Sequence, residues 1–260
     1  MLKGKMALVT GSTSGIGQGM ALKLAEAGAN IMLNGFGPAD EIAALRAHIE
    51  TTYKVQVDYH GADLSRVADI EDMMATAAAK FGRVDILINN AGIQFTAPTQ
   101  DFPVDKWDAV IAINLSSAFH ATRLALPAMQ AAGWGRIINT ASVHGLVAST
   151  NKIAYVAAKH GIVGLTKVVA LENAGKGITC NAIAPGWVAT PLVQKQIDAR
   201  AVAEGISVDD ARKKLLGEKQ PSMAFAETDQ LGALAVFLCS PAADQMTGVT
   251  LPMDGGWTAQ

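Results

Sequence analysis

The chain has 260 residues and a formal net charge of −2, with 21 Lys and Arg set against 23 Asp and Glu. The charges are mixed along the sequence, so no basic block suggests a nucleic-acid partner and no cationic amphipathic stretch suggests a membrane surface. Charged residues are 17% of the chain, below the roughly 25% of average globular proteins, and so few surface charges predict a homo-oligomer.

Apolar runs of strand length alternate with longer stretches of helical period. The strand candidates lie at 5–10, 29–34, 55–60, 84–90, 135–142, 177–185 and 249–256, and the helix candidates near 15–28, 38–52, 66–81, 104–132, 152–175 and 227–239. Parallel neighbours need crossover connections, so this alternation predicts an α/β fold. It is a doubly wound parallel sheet of the Rossmann type, about seven strands with helices on both faces. No linker, repeat or low-complexity tract interrupts it, and residues 1–260 read as one domain. The strand-free, charged segment 190–220 reads as a helical lid beyond the carboxyl ends of the strands; a hairpin packing on a neighbouring subunit is the alternative. Met6–Val9 is too short for a signal segment, and no apolar stretch is judged to approach roughly 18 residues, so a cytoplasmic protein without a membrane partner is expected. Cys180 and Cys239 sit in apolar runs and read as reduced core residues. No metal site is expected.

The first strand runs into TGSTSGIG, with Gly11, Gly15 and Gly17. Backbone amides approach a pyrophosphate closely there only if side chains are absent. Asp63, after the third strand, is placed to accept from an adenine amino group. Asn89 to Gly92 (NNAG) makes a second glycine-bearing turn after the fourth strand. Strands one and four meet at the switch point of this topology, so both turns face one crevice. After the second strand the chain reads Asn34-Gly35-Phe36-Gly37, with neither a carboxylate for ribose hydroxyls nor a cation for a 2′-phosphate. A phosphate without a cation is poorly held and Phe36 crowds it, so NAD is the expected cofactor; the next arginine is Arg46.

Tyr155 and Lys159 are four apart in a helical stretch, hence one turn apart on one face, and Ser142 lies just past a strand. A phenol titrating near 10 is a poor base at neutral pH. An ammonium about 5 Å away at an effective dielectric of ~20 favours the phenolate by roughly 3 kcal/mol, or about two pKa units. Tyr155 is therefore expected to be the general acid/base, Lys159 its electrostatic partner, and Ser142 the holder of the substrate oxygen.

With TGSTSGIG, NNAG, Asn114, Ser142, Tyr155-x-x-x-Lys159 and Pro185-Gly186 in this order, essentially the whole chain resembles the short-chain dehydrogenase/reductase family. The resemblance implies that Asn114 holds a water linking Lys159 to solvent. It places the cofactor against Gly11, Thr13, Ser14, Gly15, Ile16, Gly17, Phe36, Asp63 and Leu64. Further contacts are implied at Asn90, Ala91, Gly92, Tyr155, Lys159, Pro185, Gly186, Val188 and Thr190.

Gln94, His144 and Lys152 bracket the catalytic tyrosine as donors that converge on one anionic group, and Trp187 supplies an apolar wall; together they favour a small hydroxy or keto acid. The stretches NGFG, AGIQ, HGLVAST-NK-x-AYVAAKHG, APGWVATPLV-x-KQI, EKQPS and DGGWTAQ resemble the branch of the family that oxidises (R)-3-hydroxybutyrate to acetoacetate with NAD. That likeness implies a tetramer. It places the substrate against Gln94, Ser142, His144, Lys152, Tyr155, Trp187, Gln196 and Trp257. Phe95 stands where relatives often carry histidine. An NADPH-dependent 3-oxoacyl thioester reductase of the same family and a non-catalytic nucleotide-binding protein are the competing readings.

Overall fold

The computed structural model describes residues 1–259. Its strands are β1 (Met6–Val9), β2 (Asn30–Asn34), β3 (Val57–His60), β4 (Ile86–Asn89), β5 (Gly135–Thr140), β6 (Ile178–Pro185) and β7 (Thr250–Met253). All pair in parallel in one seven-stranded sheet of order β3-β2-β1-β4-β5-β6-β7. The inner strands β1, β4, β5 and β6 are buried along their whole length. A strand covered on both faces has no polar side to alternate with, so β1 reads as an unbroken apolar run and β4 as one up to Asn89, while β5 and β6 also bury Arg136, Asn139, Thr140, Thr179 and Asn181.

The helices are α1 (Gly15–Glu26), α2 (Ala39–Tyr53), α3 (Val67–Phe81), α4 (Val104–Ile111), α5 (Ser117–Ala132), α6 (Ile153–Asn173), α7 (Pro191–Glu204), α8 (Val208–Gly217) and α9 (Thr228–Leu238). One face of the sheet packs Met20, Leu24 and Leu231 of α1 and α9 against Val9, Ile31 and Ile88. The other packs Met73, Ala121, Ala125 and Val169 of α3, α5 and α6 against Leu8, Leu87 and Ile137. Residues 104–132 run as one helix, as the periodicity predicts, except that a π turn at Ala112–Ser116 separates α4 from α5. An extra residue per turn re-aims the side chains it carries, and Asn114 is one of them.

The expectation about apolar length needs correction. Val104–Ala132 and Ile153–Asn173 are each long and apolar enough to cross a bilayer, with mean hydropathy 1.3. In the structure each buries one face against the sheet or its neighbours. Cys180 and Cys239 are buried, and burial pushes both thiols up to about 12, so neither forms a thiolate near neutral pH. Segment 190–220 folds as α7 and α8, which share a small core of Val193, Ile197, Ala201, Ala211 and Leu215 apart from the two sheet cores.

Candidate active site

β1 and β4 lie side by side, so the turns that follow them meet. Thr10 joins them, its Oγ1 accepting from the backbone N–H of Asn90 and Ala91. The glycine turn doubles back so tightly that a side chain at Gly17 would begin 2.3 Å from the Gly11 carbonyl. It would also meet the Asn90 side-chain amide at 2.4 Å, so the turn closes here only on a glycine. α1 starts at Gly15, and Ser14 before it makes no side-chain capping bond. The first amides of the helix are thus left to an anion, which fits a pyrophosphate. They face a cavity of about 440 Å³ lined by Gly11, Thr13, Ser14, Gly15, Ile16, Phe36, Asp63, Leu64, Asn90, Ala91, Gly92 and Thr190. Asp63 accepts from the backbone and hydroxyl of Ser65, which hold its carboxyl below the usual range.

A second cavity, about 840 Å³, continues from the first and is lined by Asn90, Gly92, Ser142, Tyr155, Lys159, Pro185 and Gly186. α6 carries Tyr155 and Lys159 on one face, with the Lys159 ammonium 5.6 Å from the Tyr155 ring centroid. Ser142, two residues past β5, lines the same cavity and pulls the Tyr155 phenol downward. Lys159 is 3% exposed and donates to the Thr140 carbonyl at 2.6 Å. Asn114 does not reach Lys159 directly. Its side-chain oxygen accepts from the Ile93 N–H at 2.8 Å and its nitrogen donates to the Ile93 carbonyl at 2.9 Å. The π turn thereby fixes the loop that leads to Gln94.

The charge state of the pair differs from expectation. Burial pushes the Tyr155 phenol above its ordinary value, with the Ser142 bond pulling the other way, while burial lowers Lys159 to about 8. A pairwise Coulomb estimate leaves out the solvation that both charged forms lose on entering the protein. Tyr155 is thus a protonated acid in the nucleotide-free protein.

All eight expected substrate residues line one small cavity of about 160 Å³: Gln94, Ser142, His144, Lys152, Tyr155, Trp187, Gln196 and Trp257. Val188 and Thr190 line it as well. The His144 ring meets Tyr155 and Trp257 edge-on at centroid distances of 5.9 and 5.5 Å. Its Nε2 lies 2.9 Å from the Ser149 hydroxyl and its Nδ1 3.4 Å from Ser142. Burial first, then the charge of Lys152, lower its pKa to about 4, so His144 is neutral and joins Lys152 as a dipole, not as a second cation. Lys152 is itself lowered by burial, an under-solvated ammonium 5.7 Å from the Trp187 ring. A carboxylate would return what burial removes. Phe95 lines the larger cavity, edge-on to Phe102 at 5.6 Å, and takes no part in the small one.

The model of the short chain dehydrogenase family matches residues 5–201. The chain belongs to the short-chain dehydrogenases. As a member of that family it is an oxidoreductase that binds a nicotinamide dinucleotide. It is 63% identical over 261 residues to the D-beta-hydroxybutyrate dehydrogenase of Cupriavidus necator, covering 100% of both chains. It is 53% identical over 256 residues to the enzyme of the same name from Rhizobium meliloti, covering 98% of this chain and 99% of that one. Levodione reductase superposes with a TM-score of 0.91 at 34% identity, covering 100% of this chain and 99% of that one.

Several residues that build this dehydrogenase site carry no signal in the sequence. Thr140 acts through its backbone carbonyl, Ser149 through a bond to His144, and Thr10 through a bond across strands. Leu192, on the first turn of α7, lines all three cavities and went unnoticed because a leucine in a helix is ordinarily core.

Proposed function

We propose that this chain catalyses the reversible, NAD-linked oxidation of (R)-3-hydroxybutyrate to acetoacetate. The observation that carries the reading is the small cavity in which Lys152, Gln94 and Gln196 share walls with Tyr155 and two tryptophans. A cavity of about 160 Å³ suits a four-carbon acid. The relatives named D-beta-hydroxybutyrate dehydrogenase support the same substrate. Lys152 and the two glutamine amides hold the carboxylate, and Trp187 and Trp257 enclose the methyl end. The hydroxyl then sits between Ser142 and Tyr155. The nicotinamide, when bound, accepts the hydride and adds the positive charge that lowers the phenol. Tyr155 takes the hydroxyl proton, and Lys159, anchored on Thr140, holds the phenolate while it carries charge.

NAD over NADP rests on the rim of the adenosine-side cavity. Asn34 is buried and its side chain is fully engaged, accepting from Gly11 N–H and donating to the carbonyls of His60 and Ala62. Tyr59 donates to the Gly35 carbonyl at 2.8 Å and Thr13 to that of Phe36 at 2.8 Å, so the loop after β2 is held on both sides. Among the described residues lining this cavity, Asp63 is the sole charge and no cation awaits a 2′-phosphate.

The low charge content and the exposed Phe119, Val168 and Leu171 on α5 and α6 support a homo-oligomer, with a tetramer in the cytoplasm as the proposed form. The deciding assay follows NADH formation with (R)- and (S)-3-hydroxybutyrate, with NADP as control. Turnover at least about 100-fold faster with the (R) acid and NAD is expected. Higher activity on acetoacetyl-CoA with NADPH than on acetoacetate with NADH would overturn the reading.

A further inference from the structure

One wall of the small cavity is made by two indoles from distant parts of the chain. Trp187 follows β6, Trp257 lies in the C-terminal turn, and their rings are 6.0 Å apart at 39°. The Trp187 ring is not fixed by its own indole, since its buried Nε1 has no hydrogen-bond partner among the described residues. What places Trp187 is its backbone. Its N–H donates 2.8 Å to the side-chain oxygen of Gln220, and its carbonyl accepts from Ala226 N–H at 3.0 Å.

Gln220 stands directly after the lid helices and is 2% exposed, an uncommon burial for an amide at the end of a charged segment. Its nitrogen donates to the Ala224 carbonyl, closing the exit of the lid on itself. Its side chain also lies across the two glycines that flank the tryptophan segments. A Cβ on Gly186 would meet the Gln220 oxygen at 2.7 Å, and one on Gly255 would meet its Cγ at 2.7 Å. Ser222 N–H donates to the Gly255 carbonyl, and Asp254 accepts from Gly256 and Thr258, so the turn bearing Trp257 is tied to the same point. One buried amide therefore sits where the Trp187 segment, the lid exit and the C-terminal turn meet.

We propose that Gln220 is a specificity-determining positioning residue: it clamps Trp187 against Trp257 and so sets the length of acid that the cavity admits. Trp187 also packs against the small core that α7 and α8 share, so the clamp ties the wall to the base of these helices. This rests on the proposed 3-hydroxy acid substrate, and the idea deepens it by assigning chain length to a residue that lines no cavity named above.

The test compares (R)-3-hydroxybutyrate with (R)-3-hydroxyhexanoate in wild type and Gln220→Leu. Removing both hydrogen bonds is expected to raise the ratio of kcat/KM for the six-carbon acid over the four-carbon acid by about tenfold, with the NADH dissociation constant within twofold of wild type. A purely structural role would lower stability and leave that ratio unmoved, which overturns the proposal. Should Gln220→Leu not fold, Gln220→Glu keeps the acceptor for Trp187 N–H, and its ratio is expected to stay within threefold of wild type, while Gln220→Met reads the loss of both bonds. Near-ultraviolet circular dichroism of the two coupled indoles reads the clamp without turnover. A signal in Gln220→Leu reduced to the level of Trp257→Phe supports it; an unchanged signal overturns it even if the functional reading stands. If wild type oxidises neither acid, the substrate reading fails, and the dichroism alone decides whether the clamp exists.

Discussion

Tyr155 and Lys152 do separate work in one cavity, and kinetics can part them. Tyr155→Phe removes the proton carrier and keeps the ring that His144 packs against. General acid/base groups contribute about 10²–10⁴-fold, so kcat is expected to fall by about 10³ or more, with NADH binding, followed by nucleotide fluorescence, within about threefold. Turnover surviving in this variant would remove the tyrosine from the mechanism. Lys152→Ala is expected to raise KM for 3-hydroxybutyrate by at least about tenfold and to change KM for an uncharged secondary alcohol little. An equal rise for both would mean that Lys152 does not hold an anion. Both proposed roles can be read from the sequence because each rests on a side chain at a recognisable spacing. Thr140 and Ser149 were not, because a carbonyl that receives Lys159 and a hydroxyl that orients His144 are chosen by tertiary neighbours. The sign of the Tyr155 shift was missed for a related reason: spacing gives the distance between two charges and says nothing of the water both have lost.

Elements were more legible than residues. β1 and β4, covered on both faces, announce themselves as apolar runs, and the crossover rule then orders the connections. The π turn was invisible, since Ala112–Ser116 keeps the helical composition on either side and only backbone geometry distinguishes it. Segment 190–220 stood out by lacking a strand, and its packing now gives the lid reading a test. α7 and α8 bury Ile197, Ala201 and Leu215 against one another, with Trp187, Ile206 and Phe225 beside them. They add Arg200–Glu204, Arg200–Glu218 and Lys214–Glu204 pairs at the surface, which contribute little each. Ile→Ala in a core costs about 2–5 kcal/mol, and here that loss falls on a unit able to open locally. Ile197→Ala is therefore expected to speed amide exchange in α7 and α8 and to raise the substrate KM several-fold. Exchange in β1 and β4 should not change. Exchange rising equally in the sheet would show that these helices are part of the global fold and not a lid.

For the whole molecule, the informative titration is that of His144, because burial separates its folded value from its unfolded one. Burial lowers it from the ordinary 6.5 to about 4, while the shifted carboxyls of Asp58, Asp63 and Asp254 all lie below 3.8. Between pH 6.5 and 4 the unfolded chain takes up a proton at this residue that the folded chain refuses. Stability is therefore complete above about 6.5 and declines as the pH falls toward 4. At pH 5 the loss is about 1–2 kcal/mol. For a chain of this length that corresponds to roughly 2–6 °C in Tm. His144→Asn removes the titration along with some packing, so the variant should be less stable than wild type at pH 7.5. The gap in Tm should then narrow by those few degrees at pH 5, as measured by scanning fluorimetry without nucleotide. A gap that stays constant between the two pH values would mean that His144 accepts its proton in the folded state. The cavity would then hold two cations below neutrality, and affinity for a carboxylate substrate would rise on acidification, where a neutral imidazole predicts no such rise.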